Sequence, residues 1–168
     1  MSAETTGQNL DQIRIALALR RAADQNLNAL VRAAGQTACL LQGSKVEKSQ
    51  VRNVQNVASA TESTAVTTNF IRYQIGRKEE WRWKNFGWKV LQELEGSDKV
   101  VGRLSEKVSN EVLAQVSSAD RDKVRKEASI LLARLFLGYL DRWFTYGSKT
   151  GRWDDIEKAT SGEESHVR

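Results

Sequence analysis

The 168-residue chain contains no proline, one cysteine and one histidine. Because proline interrupts helices, its absence favours long helices that are joined by glycine or polar turns. A single cysteine, Cys39, excludes an intramolecular disulfide framework and fits a reducing cytosol. The single histidine, His166, lies near the C-terminal end of the sequence, which excludes a histidine-based triad in the core. One cysteine and one histidine are also too few for a zinc site.

Other signals of catalysis or membrane insertion are equally scarce. The longest apolar run, around SILLARLFLGYL, is too short to span a membrane and is interrupted by Arg134. The first residues show no charged and apolar leader pattern, and the sequence has no glycine-rich phosphate-binding loop. The adjacent carboxylates Glu79–Glu80 and Asp154–Asp155 are typical of solvated charges. We therefore expect a non-enzymatic, cytoplasmic protein with no cofactor, no metal and no membrane partner.

Apolar residues recur at helical spacing through most of the chain. Helices are predicted from Leu10 to about Ala34, after the capping-box pattern Ser44–Glu47, and over about Ala65–Arg77. Three more helices follow, and Gly35, Gly96 and Gly147 are expected to end helices. The sequence thus predicts an all-α fold, a compact bundle of five or six helices. Its expected organisation is a flexible N-terminus (1–9), the bundle (10–147) and a flexible polar tail (148–168).

A basic and aromatic segment, Val66–Val90, stands out. It contains six cations and two glutamates in a chain whose net charge is +5. Helical spacing predicts that four of its aromatic residues are core: Phe70, Tyr73, Trp83 and Phe86. Trp81 and Trp88 lie off that stripe, where each could pack at a subunit interface or stack on a base. With Lys45, Lys48 and Arg52 upstream, the segment forms a local excess of positive charge that suits phosphate contacts.

Three stretches resemble a known family. KSQVRNVQNVA (Lys48–Ala58) and NFIRYQIGR (Asn69–Arg77) are similar to the small helical subunit of type III CRISPR effector complexes. That family carries a Ser-Gln-x-Arg helix start and a helix that closes on Tyr-x-x-Gly-Arg or a similar element. LFLGYLDRWFTYGSK (Leu135–Lys149) is similar to the end of its last helix. The small subunit of Csm complexes matches best, with the Cmr small subunit as the close alternative.

The resemblance implies a non-catalytic subunit of an antiviral ribonucleoprotein. Such a subunit stacks in several copies along a filament, contacts the backbone of guide RNA and target RNA, and meets the backbone and large subunits of the complex. The motif matches, with the neighbouring cations, give these candidate RNA-binding residues: Lys48, Gln50, Arg52, Arg72, Gln74, Arg77, Lys78, Arg82 and Lys84.

Two alternatives to this interpretation stay open. One is a helical scaffold protein that binds a protein partner through exposed aromatic side chains, without nucleic acid. The other is a small DNA-binding regulator, although no helix-turn-helix with a clear tight turn is evident.

Overall fold

The structure is a computed structural model that describes residues 3–116 and 119–162. These residues form helices and connections and contain no strand, so the all-α prediction is confirmed, while the helices outnumber the five or six expected. The α-helices are α1 (Ala3–Asp24), α2 (Leu27–Cys39), α3 (Lys48–Ala60), α4 (Thr64–Arg77), α5 (Phe86–Glu95), α6 (Val100–Gln115), α7 (Arg121–Thr150) and α8 (Trp153–Thr160). A 3-10 segment, Glu79–Asn85, joins α4 to α5.

The first predicted helix is in fact two helices. α1 ends at Asp24 and α2 begins at Leu27, and between them the Asn26 side chain donates to the Ala22 carbonyl at 2.8 Å. Gly35 was expected to end a helix, but it is buried inside α2. A methyl group at this position would overlap Thr160 Cγ2 of α8 and lie 3.1 Å from Trp143 Nε1. Glycine is therefore required by the close approach of neighbouring elements.

The capping pattern at the start of α3 lies one turn later than predicted. Glu47, not Ser44, is the N-cap residue, and the Glu47 amide donates to Gln50 Oε1 at 3.3 Å. The Ser44 hydroxyl instead accepts from the amide of Val46 at 3.3 Å within the preceding loop. Both Ser-x-x-Glu and Glu-x-x-Gln occur here, and only the second is followed directly by the apolar periodicity of α3.

The 30-residue helix α7 lies at the centre of the bundle. Helices α2, α3 and α6 pack along it, α1 packs against α6, and α8 packs against α2. Helices α4 and α5 pack on each other and join the bundle through α3 and α6. Within the described ranges no helix combines the length and apolar character that a membrane span requires.

The C-terminal region differs from the flexible tail that was expected over 148–168. Helix α7 continues through Gly147 and ends at Thr150, and the next residue, Gly151, has a φ of 71°, a left-handed conformation that favours glycine. Helix α8 then buries Trp153 and Ile156, and Trp153 packs on Phe144 with ring centroids 6.3 Å apart. Because polar residues separate these apolar positions, the amphipathic pattern of this two-turn helix was not recognised in the sequence. Residues 163–168 of the expected tail lie outside the described residues.

The N-terminal region shows a similar difference. Helix α1 begins at Ala3, within the stretch 1–9 that was expected to be flexible. The first two residues of that stretch lie outside the described part of the chain.

Candidate nucleic-acid interface

The 3-10 segment divides its two tryptophans between the core and the surface. Trp81 is 1% exposed and packs on Phe86 with ring centroids 5.2 Å apart, so it anchors the segment. The chain then kinks, because Trp83 is extended and both Lys84 (φ 45°) and Asn85 (φ 60°) are left-handed. The kink turns Trp83 outward, and its side chain is 42% exposed. The prediction that Trp83 belongs to the core is therefore wrong, since helical spacing does not apply across the kink.

The other three aromatic residues that were predicted to be core also differ in burial. Phe86 is fully buried, as predicted, and Phe70 is half-buried against the core. Tyr73 is 51% exposed, because it lies on the side of α4 that faces away from α3 and α5.

The kink forms one wall of a groove of about 540 Å³, and the loop between α2 and α3 forms the other. The lining residues are Gly43, Lys45, Glu79, Glu80, Arg82 and Trp83. Arg82 Nε donates to the Ile75 carbonyl at 3.1 Å, which fixes the guanidinium at the rim. Lys84 Nζ lies 5.8 Å from the centre of the Trp83 ring. The groove thus brings together cations from two separate parts of the sequence beside an exposed indole.

Two other predicted RNA-binding cations lie on α4 and have contacts of their own. Arg72 Nη2 donates to Glu95 Oε2 at 2.7 Å, and this hydrogen bond is the main cause of the lowered pKa of Glu95. Arg77 Nη1 donates to the Tyr73 hydroxyl at 3.0 Å, with the guanidinium 5.6 Å from the centre of the ring. Both arginines are exposed at the surface. An RNA phosphate at Arg72 would compete with the Glu95 carboxylate, which weakens the case for that residue.

The three candidates on α3 have different roles. Gln50 caps its own helix, and Lys48 is half-buried in the first turn. Arg52 Nη2 lies 3.5 Å from Asp141 Oδ2, and the Asp141 side chain is only 12% exposed. Because removal of Arg52 would leave this carboxylate without a counter-charge, Arg52 has a structural role beside any RNA contact.

Gln74 and Lys78 complete the predicted set. Gln74 is 6% exposed and lies on the face of α4 that packs inside the protein. The prediction that it contacts RNA is therefore corrected. Lys78 is half-buried where α4 meets the 3-10 segment, and its carbonyl accepts from the Trp81 amide at 3.1 Å. Of the nine predicted residues, Arg82 and Lys84 are the two that flank the groove.

The surface also carries apolar features. On α1, the side chains of Leu10, Ile13 and Leu17 are each about half exposed, while the next face of the same helix is buried. A second groove, of about 670 Å³, runs between α4 and α5, with Trp88 42% exposed in its wall. The floor residues Ile75 and Leu91 belong to the core. Exposed apolar patches of this kind mark interaction surfaces.

Groups suited to covalent or metal chemistry are scarce in the described ranges. Burial, followed by the nearby Glu157 carboxylate, raises the pKa of the half-buried Cys39 thiol, so that it is a poor nucleophile at neutral pH. Among the same residues, no three His, Cys, Asp or Glu side chains come together as metal ligands. No family model, curated protein or solved structure matches the chain significantly.

Proposed function

We propose that the chain is a non-catalytic, RNA-contacting small subunit of a type III CRISPR effector complex in the cytoplasm. The observation that carries the proposal is the gathering of three cations around the groove beside Trp83, which Glu79 and Glu80 also line. Lys45 comes from the α2–α3 loop and Arg82 from the 3-10 segment, and Lys84 flanks Trp83 at the same place. Arginine and lysine on a fixed framework suit phosphate oxygens, and phosphate contacts are independent of base sequence. A subunit that meets every target sequence needs contacts of that kind.

The motif resemblance supports the same proposal from the sequence. Lys48–Ala58 coincides with α3 almost residue for residue, and Asn69–Arg77 forms the second half of α4. These helices flank the segments that carry the cations. The proposed partners are guide RNA, target RNA, and the backbone and large subunits of the complex.

Stacking of several copies along a filament is part of the proposal. The exposed apolar stripe of α1 and the groove between α4 and α5 support it, because two unlike patches on one chain allow head-to-tail association.

The salt dependence of RNA affinity tests the proposal. The full-length chain is titrated with single-stranded RNA and with a guide–target duplex at several salt concentrations. A triple variant, Lys45→Gln, Arg82→Gln and Lys84→Gln, is compared with the wild type. If each cation neutralises one phosphate of single-stranded RNA, the slope of log K against log salt becomes shallower by about 2 in the variant.

A matched control removes three charges from another part of the surface. Lys126, Lys149 and Lys158 are exposed on α7 and α8, and their replacement by glutamine changes the net charge equally. We expect the control to keep the wild-type slope, because the loss of net charge alone acts weakly at moderate salt. Equal slopes in the two variants, or wild-type affinity that is insensitive to salt, would contradict RNA binding at the groove.

A scaffold protein that binds a protein partner is the second candidate. The wall of the α4–α5 groove favours it, because Trp88 is half exposed beside the buried Ile75 and Leu91, as in grooves that accept an apolar helix face. A chain with this function would show no salt-dependent affinity for RNA, and Trp88→Ala would abolish capture of its partner.

A further inference from the structure

We infer that the groove beside Trp83 holds an unpaired nucleotide, whose base stacks on the indole while its phosphates contact the surrounding cations. This inference rests on the proposed function, and it adds a base contact to a surface so far described through phosphates. It also assigns a ligand to a side chain that spacing alone had placed in the core.

The first argument is the backbone of the 3-10 segment. Two consecutive non-glycine residues, Lys84 and Asn85, adopt left-handed conformations, which are uncommon and carry a small energetic cost. Trp81 lies in the same segment, and its fully buried side chain anchors the segment to the core. The left-handed conformations present the apolar ring of Trp83 to solvent on this anchored segment. An ordinary helix would have buried the ring. A ring that is held in place loses little conformational freedom when a ligand stacks on it.

The second argument is the size and chemistry of the groove. A volume of about 540 Å³ lies within the range of small-molecule sites, which is roughly 300–1,000 Å³. Lys45 and Arg82 provide positive charge for phosphate, and the bond from Arg82 Nε to the Ile75 carbonyl leaves its terminal nitrogens for a ligand. Glu79 and Glu80 line the same groove, and carboxylates accept hydrogen bonds from the N–H groups on base edges.

The mixture of charges distinguishes a nucleotide from a bare anion. A groove for phosphate alone would gain nothing from two glutamates, since they repel it. A base with its attached phosphates offers N–H donors, an aromatic face and negative charge together. A base can present its aromatic face and its Watson–Crick edge together only where it is unpaired and unstacked, because duplex RNA buries both in the helix. The occupant is therefore a nucleotide in a single-stranded or flipped-out position.

Two equally exposed tryptophans provide the experiment. Trp83 and Trp88 are both 42% exposed, and they lie in different grooves. Trp83→Leu and Trp88→Leu are compared with the wild type for binding to single-stranded RNA at fixed low salt. Loss of one stacked base predicts about a 5- to 150-fold weaker affinity for Trp83→Leu, with little change for Trp88→Leu. Trp83→Phe keeps an aromatic face and retains most of the affinity.

Two further readouts separate stacking from phosphate contact. RNA that contains 2-aminopurine loses fluorescence when that base stacks on a protein ring, so quenching is expected with the wild type and is lost in Trp83→Leu. The salt slope stays at the wild-type value in Trp83→Leu, because no phosphate contact is removed. Thermal unfolding followed by circular dichroism shows whether the variant is folded, and a large loss of stability would overturn the inference by making Trp83 structural.

The remaining outcomes distinguish failure of the stacking inference from failure of the proposed function. If both leucine variants bind RNA as the wild type does, with a salt-dependent affinity, the stacking inference is refuted and the proposed function stands. If the wild type shows no salt-dependent affinity for RNA, both the inference and the proposed function fail.

Discussion

The last helix, α8, gives the most direct test of the C-terminal structure. Ile156 is fully buried between α8 and α2, where its Cγ2 lies 3.3 Å from the position of a Cβ at Gly35. Truncation to alanine removes three carbon atoms, and at about 0.8 kcal/mol for each buried methylene this is roughly 2.4 kcal/mol of lost transfer free energy. A cavity that only partly collapses adds to this cost, so Ile156→Ala is expected to lower the free energy of unfolding by about 2–4 kcal/mol.

Urea unfolding, followed by tryptophan fluorescence and circular dichroism, measures this change. With a slope of about 2 kcal/mol per molar urea, the midpoint falls by roughly 1–2 M at an unchanged slope. Lys158→Ala on the exposed side of the same helix is the control, and it should stay within about 0.5 kcal/mol of the wild type. If the two variants unfold at the same midpoint, α8 does not contribute to the folded core, and the packing described for it is refuted.

Two more predictions concern a buried tryptophan and an ion pair at the surface. Trp81→Phe is expected to lower the free energy of unfolding by less than about 1.5 kcal/mol, because it also removes an indole N–H that is buried without a partner among the described residues. Trp81→Ala should lower it by about 3–5 kcal/mol. Denaturant unfolding measures both changes. The hydrogen bond from Arg72 lowers the pKa of Glu95 in the folded protein. The pair therefore stabilises the fold at pH values above the ordinary pKa of Glu95, and this stabilisation is lost as the pH falls through the lowered pKa. In Arg72→Gln, the NMR titration of Glu95 should move up towards its ordinary pKa, and no shift would contradict the ion pair.

The helical class of the protein was predictable because long stretches repeat one apolar face. Helix α4, expected over about Ala65–Arg77, is observed over Thr64–Arg77, and Gly96 follows the end of α5 as predicted. The break between α1 and α2 was not predictable in this way. The apolar spacing continues through Gln25 and Asn26, and the break depends on which neighbours each half of the helix finds.

The candidate site was only partly predictable for a related reason. Periodicity indicates that a helical residue has apolar neighbours on its face, but it does not indicate whether another helix covers that face. Leu10 and Tyr73 follow the helical pattern and are nevertheless exposed. At Trp83 the helical period itself fails, because the backbone leaves the helix for three residues. The proximity of Lys45 to Arg82 arises from tertiary packing, and it has no signal in the local sequence.

The central position of α7 has a consequence for the order in which the protein folds during synthesis. Helices α2 and α3 leave the ribosome about 75–110 residues before the part of α7 against which they pack. At synthesis rates of about 5–20 residues per second, their apolar faces wait several seconds for that surface. Each of these helices has 13 residues, a length at which an isolated helix is marginally stable in water. The surface on which α2 and α3 pack is therefore completed only after α7 has emerged.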